Sequence, residues 1–148
     1  MPGWEDAYLV GTGPQIGVRE TRHMVGRYAV TAEDVLSARR RPDDGTARCG
    51  WPLEAHHGLG STKYPPIEGR AFYDIPLDAL RSLDRENLWA AGRLVSSDAA
   101  AYCSLRVMGT AFATGQAAGV AAALQAKLGH APQPAAVRRE LVRQGALI

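Results

Sequence analysis

The sequence predicts a mixed α/β (or α+β) domain, and three features carry that expectation. Residues 87–91 (Asn-Leu-Trp-Ala-Ala) form a short apolar run closed by Gly92-Arg93. A long helix follows over about Arg106–Lys127, uncharged between those two ends, so a strand, a tight turn and a helix stand in order. Extended and helical patterns alternate elsewhere along the chain. In 148 residues, 46% hydrophobic and 22% charged, there is room for one packed core of ordinary size, and wholesale disorder is not expected.

From the N-terminus, Tyr8-Leu-Val10 is short and apolar, and Gly11-Thr-Gly-Pro-Gln-Ile-Gly17 reads as a turn. Val18 to Val30 is expected to be an extended pair or a long strand interrupted at Gly26. Thr31-Ala-Glu-Asp34 has the form of a helix start. Thr31 is the N-cap and Asp34 stands at the third helical position, with the helix running to about Arg40 and stopping before Pro42. Residues 42–70 are loop-rich, with short strands expected near Cys49–Leu53 and Ala71–Ile75. Ser96 or Ser97 is placed to cap a short helical turn. Beyond Gly129 and Pro132, residues 134–144 read as an amphipathic helix with Ala136, Val137 and Leu141 inward, ended by Gly145.

Composition excludes several classes. Lys plus Arg is 17 and Asp plus Glu is 15, and this balance of +2 is too slight to point to nucleic acid. The Arg-rich runs Arg39-Arg-Arg41 and Arg138-Arg139 lack the interleaved aromatics of a strand-stacking surface. Two cysteines, Cys49 and Cys103, cannot build a disulfide framework or a four-thiolate metal site, so no metal is expected. Glu5 and Asp6 precede an apolar run of only Ala7–Val10, which is not the form of a secretory leader. A cytoplasmic setting with free thiols is therefore expected. The uncharged stretch Val107–Ala126 has the length of a bilayer span, and Gly115-x-x-x-Gly119 imitates a membrane dimer motif. It is rich in Ala and Gly and carries Thr110, Thr114, Gln116 and Gln125, so a soluble core helix is the expectation and no membrane span.

Gly11-Thr-Gly13-Pro-Gln-Ile-Gly17 approaches the dinucleotide fingerprint G-x-G-x-x-G without matching it. The spacing is one residue too long, and Pro14 removes an N–H where a pyrophosphate would need one. Glu33 and Asp34 open a helix rather than ending a second strand. The long helix is more informative. Its first turns hold Gly109 and Thr110 and no carboxylate, while a helix N-terminus presents unsatisfied N–H groups and about half a positive charge. Small residues there admit a planar or anionic ligand. The stripe Ala111, Gly115, Ala118, Gly119 and Ala122 implies close approach of another backbone, and plain packing of helix on sheet explains it equally.

Taken together, Asn87-Leu-x-x-Ala-Gly-Arg93, Arg106-Val-Met and Gly115-Gln-Ala-Ala-Gly119 resemble the C-terminal end of FAD-dependent oxidoreductases of the glutathione-reductase-like superfamily. The nearest group is the broad family related to the flavin subunit of heterodisulfide reductase. Upstream the resemblance continues through Gly17-Val-Arg-Glu-Thr-Arg22, Gly26-Arg-Tyr28, Thr31-x-x-Asp34-Val35, Trp51-Pro-Leu-Glu-Ala-His56 and Tyr73-Asp-Ile-Pro76-Leu77, covering about residues 15–128 in the family's order.

The resemblance implies FAD as cofactor, with Gly92, Arg93, Arg106, Met108, Gly109 and Thr110 as the residues about it. It implies that the helix opening near Met108 aims its N-terminus at the pyrimidine side of the isoalloxazine, where a dipole favours the added negative charge of the reduced ring. Arg93 and Arg106 meet FAD phosphate or flavin oxygens, or else anchor the ends of strand and helix. His56 matches the family's loop histidine and is a candidate acid or base, or a surface residue, in a loop it shares with His57. Arg19 and Arg22 are candidates for holding a substrate carboxylate, against a structural pairing with Glu20.

Family members open with a βαβ unit carrying a Gly-rich pyrophosphate loop, and no such unit lies within these residues. The chain is therefore expected to be the C-terminal part of a two-domain flavoenzyme, an incomplete Rossmann-like half with part of the substrate domain. Residues 1–80 would belong to the substrate or cap domain, 81–129 to the strand-turn-helix of the FAD-binding domain, and 130–148 to a C-terminal helix. An exposed apolar face is expected, open to a separately encoded N-terminal half or to self-association. The alternatives are an inactive truncated remnant and a non-enzymatic protein-interaction domain.

Overall fold

The computed structural model describes residues 2–57, 61–63 and 65–148. Gly58, Leu59, Gly60 and Tyr64, within the expected loop 42–70, lie outside the described residues, as does the side chain of His57. The described chain runs α1 (Ala32–Leu36), β1 (Gly45–Cys49), β2 (Ala55–His57), β3 (Ser61–Lys63), β4 (Tyr73–Pro76), α2 (Ala99–Leu105), α3 (Met108–Leu128) and α4 (Pro134–Arg143), with short 3₁₀ turns between them. It is mixed α/β, as expected. The strands form two antiparallel pairs, β1 with β4 and β2 with β3.

The capping box at α1 forms as the sequence indicates. Thr31 Oγ1 accepts from the Asp34 N–H and the Asp34 carboxylate accepts from the Thr31 N–H. The helix stops at Leu36, short of the expected Arg40. Ala38 adopts φ 51°, and the Arg39 N–H reaches back to the Asp34 carbonyl. That reversal turns the Arg39 guanidinium onto the buried Asp34 carboxylate at 2.9 Å, an ion pair that a longer helix would forfeit.

β4 lies close to its expected position, but β1 falls four residues before the expected Cys49–Leu53 and shares only Cys49 with it. The sheet starts at Gly45, where a Cβ would meet the Arg41 carbonyl at 2.7 Å and Asp74 Cβ at 2.9 Å. Val18–Val30 is not a strand pair. Its later part is extended but divides its hydrogen bonds among several segments, Met24 to Leu94, Arg27 to Arg81, Tyr28 to Asp78 and Val30 to Ser96, so only isolated bridges result. Asn87–Ala91 is likewise not a buried strand. It touches residues 80–82 through single backbone bonds, Leu88 is half exposed, and Trp89 turns onto α3, where its Nε1 donates to Gln125 Oε1 at 2.7 Å. Asp98, and neither Ser96 nor Ser97, caps the helix that follows, accepting from the Ala101 N–H at 2.7 Å.

The long helix forms as α3, within two residues of the expected Arg106–Lys127, and the short helical turn expected before it is α2, which meets α3 at 95°. No single helix among the described residues is long and apolar enough to cross a membrane, and the pair that together has the composition is bent by that angle. α3 ends at Gly129 with φ 75°, and α4 opens with Pro134 and buries Val137 and Leu141 against α3 and β1. Ala136 is only half-buried. The core gathers Val30, Val35, Ile75, Leu80, Val95 and Leu105 around the β1–β4 pair. Side chains of this size contribute about 1.5–3 kcal/mol each on full burial.

α3 buries Thr110, Thr114, Ala117, Ala118, Val120 and Ala121. Its other face, bearing Met108, Phe112, Gly115, Gly119, Ala122 and Ala126 at helical spacing, is exposed. A Cβ at Gly115 or Gly119 would meet nothing within 4 Å, so most of the small-residue stripe lies open in this chain instead of packing on its sheet.

Candidate functional site

The α2–α3 elbow creates the site. Val107 precedes α3 with no side-chain cap, the first turn holds no acidic residue, and Met108 and Gly109 are exposed. The N–H groups of the first turn therefore point outward without a carboxylate to quench them. Beside this tip is an open cleft of about 410 Å³ whose lining includes Arg19, Glu54, His56, Arg93, Arg106 and Met108. Five residues singled out from sequence thus meet in one recess. A second recess of about 450 Å³, lined by Arg19, Arg22, Arg93, Leu94 and Tyr102 among others, lies on the other side of the Arg19–Arg93 pair.

Each wall has a reason to be where it is. The segment through Val18 and Arg19 is held by its backbone carbonyls: Arg93 Nη1 donates to Val18 at 2.9 Å, and the Tyr102 hydroxyl donates to Arg19. Arg106, the C-cap of α2, donates to the Glu54 carbonyl at 3.0 Å and so fixes the start of the β2–β3 hairpin at the elbow. Arg93 and Arg106 both act as anchors, and both still face a cleft.

Glu54 and His56 stand two residues apart on extended backbone and so share a face. His56 Nε2 lies 3.3 Å from the Glu54 carboxylate, whose other oxygen accepts from Trp51 Nε1 at 2.9 Å. An imidazole held by a carboxylate in this way is positioned to exchange a proton with a molecule in the cleft. The expected pairing of Arg19 or Arg22 with Glu20 does not occur, because Glu20 is taken by His23 at 3.1 Å and the His23 ring rests on Tyr102 at 4.4 Å between centroids. Burial pushes the Tyr102 phenol up and Glu20 adds to the effect, while Arg93 and Arg106 pull it down.

Two of the expected cofactor residues are used inside the protein. Thr110 turns its hydroxyl inward onto Cys49 Sγ at 3.0 Å, in a buried polar group where Tyr73 and Ser104 also meet at 2.9 Å, so only its backbone N–H faces the helix tip. Burial raises the Tyr73 phenol far above its ordinary range, and the nearby Cys49 adds to it. Gly92, at φ 59°, donates its N–H to Thr114 Oγ1 at 3.0 Å, and a Cβ there would reach Ala111 Cβ at 3.4 Å. Its glycine identity follows from backbone conformation and close packing on α3.

Sequence reasoning missed Glu54 and Tyr102. Glu54 stood two residues before the candidate histidine on an extended segment, and that spacing was the available signal. Tyr102 lies far in sequence from the segment it holds and left no local sign.

A bare helix tip, four arginines and a carboxylate–imidazole pair thus stand around adjoining recesses. The model of the FAD dependent oxidoreductase family matches residues 1–144, and the chain belongs to that family. Searches of curated proteins and of solved structures each found no match.

FAD use follows from the family, and the residues present fit one end of that cofactor. The uncapped, acid-free tip beside Arg106 suits the electron-rich edge of a flavin ring. The pyrophosphate end finds no counterpart among the described residues, since Gly11–Gly17 precedes exposed irregular chain and no helix begins there.

Proposed function

We propose that this chain supplies the flavin-facing, C-terminal portion of an FAD-dependent oxidoreductase, related to the glutathione-reductase-like superfamily and within it to the flavin subunit of heterodisulfide reductase. The observation that carries the reading is the opening of the bare α3 tip into the same cleft as Arg106 and the Glu54–His56 pair. When bound, FAD supplies the electron transfer. This chain's residues supply the surroundings. The first-turn N–H groups of Met108, Gly109 and Thr110 favour negative charge at the ring edge, Arg106 reinforces them, and His56 moves a proton while Glu54 holds it. In this reading residues 1–80 belong to the substrate side, 81–129 to the FAD-binding side, and 130–148 to a C-terminal helix packed behind them.

The half of the flavoenzyme that carries the pyrophosphate loop would also cover the exposed face of α3. A helix apolar on both faces is normally covered on both, which supports that half of the reading. The same exposed face supports a second reading, a non-enzymatic domain that binds a protein partner through α3.

The experiment is FAD uptake followed by flavin absorbance and fluorescence quenching. It is run on the purified chain alone and after mixing with the product of an adjacent gene that carries a strand followed by a true G-x-G-x-x-G. Stoichiometric uptake in the mixture, with little in either part alone, is expected. Complex formation without flavin uptake would replace the first reading by the second.

A further inference from the structure

Six arginines are paired with carboxylates among the described residues: Arg39 with Asp34, Arg40 and Arg48 with Asp74, Arg41 with Asp44, Arg85 with Asp84, and Arg143 with Glu140. Arg19, Arg22 and Arg93 are not among them, and they gather in one place. Among the described residues none of them has a carboxylate within ion-pair distance, yet all three line one recess. Glu20, the nearest acid in sequence, is paired with His23 beside Tyr102, whose phenol its charge raises, and with none of the three arginines. All three are solvent-exposed, so water screens much of their mutual repulsion, and a bound anion would relieve the remainder.

We propose that this recess binds the carboxylate group of a small organic acid, the substrate of the flavin reaction proposed above; the substrate assignment rests on that reading, and the anion site does not. Arg93 is held by one Nη1 bond to the Val18 carbonyl, which leaves further N–H donors for a ligand. Arg22 has no hydrogen bond or ion pair among the described residues, and Thr21 and the Tyr102 ring complete the polar rim. Val18 and Leu94 add apolar wall, which suits a carbon skeleton better than a bare inorganic ion. Because Arg19 and Arg93 line both recesses, an acid clamped here extends its carbon chain toward His56 and the α3 tip. Arg93 thereby becomes a substrate-positioning residue as well as an anchor.

The test is calorimetric titration of the full chain at low salt with succinate, with its neutral counterpart succinamide, and with inorganic phosphate. Saturable succinate binding is expected, with none for succinamide and weaker binding for phosphate. Arg22→Gln should weaken succinate about tenfold without changing the circular dichroism spectrum, and Arg22→Lys should lose part of that by giving up the planar fork. Arg93→Gln should show a loss at least as large, with its fold checked the same way. Equal binding of succinate and succinamide, an unchanged affinity in Arg22→Gln, or tighter binding of phosphate than of succinate would overturn the proposal. FAD uptake is measured on the same samples. Succinate binding without flavin uptake in any mixture strikes the flavin reading alone, and flavin uptake without succinate binding strikes this inference alone.

Discussion

The Glu54 carboxylate sits 3.3 Å from His56 Nε2, with Trp51 donating to its second oxygen at 2.9 Å, so the imidazole is oriented by a carboxylate that is itself held. If the pair works as a unit in proton transfer, removing either member should cost nearly as much as removing both. In the assembled, FAD-loaded enzyme His56→Gln should lower kcat by about a hundredfold, at the low end of the range for a lost acid or base. Glu54→Gln should lose somewhat less, and the double variant should fall little below His56→Gln. Additive losses would separate the two residues.

Asp34 is buried and accepts from the Thr31 N–H at 2.9 Å and the Tyr28 hydroxyl at 2.7 Å, with Arg39 at 2.9 Å on its other oxygen. Burial alone would raise its carboxyl, but the hydrogen bonds and the Arg39 charge outweigh burial and hold it below the ordinary range. A carboxyl depressed in the folded state binds its proton more readily in the unfolded chain. Its contribution is therefore complete above the unfolded value near 3.9 and is lost as pH falls from there through the folded value. Asp34→Asn should cost roughly 2–4 kcal/mol at pH 7 in urea unfolding, by orphaning Arg39 and weakening the cap. That difference should shrink steadily below about pH 4. A constant difference down to pH 2 would remove the ion pair from the account.

How far the sequence discloses this molecule depends on whether a feature is local. Thr31 and Asp34 form the box their spacing implies, and Pro134 and Gly129 bound α4 and α3, because caps and turns are decided within a few residues. Asn87–Ala91 has the composition of a buried strand, yet beyond its flanking turns its backbone bonds among the described residues go to Leu80 and Ser82, and Leu88 stays exposed, so pattern did not determine partner. α3 starts within two residues of the expected Arg106, but the 95° angle it makes with α2 and the capping of α2 by Asp98 left no local sign. Motif spacing did name Arg19, His56, Arg93, Arg106 and Met108, which the fold brings to one cleft. It did not disclose that Thr110 faces Cys49, since which side of α3 is inward depends on where β1 lies.

Glycines on the two kinds of surface should respond in opposite ways. A Cβ on Gly26 would fall 2.7 Å from Ser96 Cβ, so Gly26→Ala should destabilise the chain by about 1–3 kcal/mol through overpacking. At Gly115 and Gly119 a Cβ meets nothing, so each alanine should stabilise the isolated chain by about 0.5–1 kcal/mol through helix propensity. If a partner half lies against this face, Gly119→Leu should leave the chain folded while abolishing flavin uptake in the mixture. Thermal unfolding and the uptake assay read the two effects separately, and unimpaired uptake by Gly119→Leu would free that face of a partner.

The α3 tip sets two physical demands against each other. Gly109 lies in the uncapped first turn with open space around it, so Gly109→Asp introduces a carboxylate without a steric clash. In the isolated chain that carboxylate meets the helix dipole favourably, by about 0.3–1 kcal/mol, and replaces a glycine in the helix, so the melting temperature should rise. At a site that favours negative charge on a flavin edge, the same carboxylate repels what the tip is built to hold. FAD affinity of the assembled enzyme should fall, and the two-electron midpoint potential should drop by about 20 mV for each kcal/mol of added repulsion. Gly109→Asn, which keeps the shape and removes the charge, should restore most of the potential. A more stable Gly109→Asp chain with unchanged potential would mean that the α3 tip points away from the redox group.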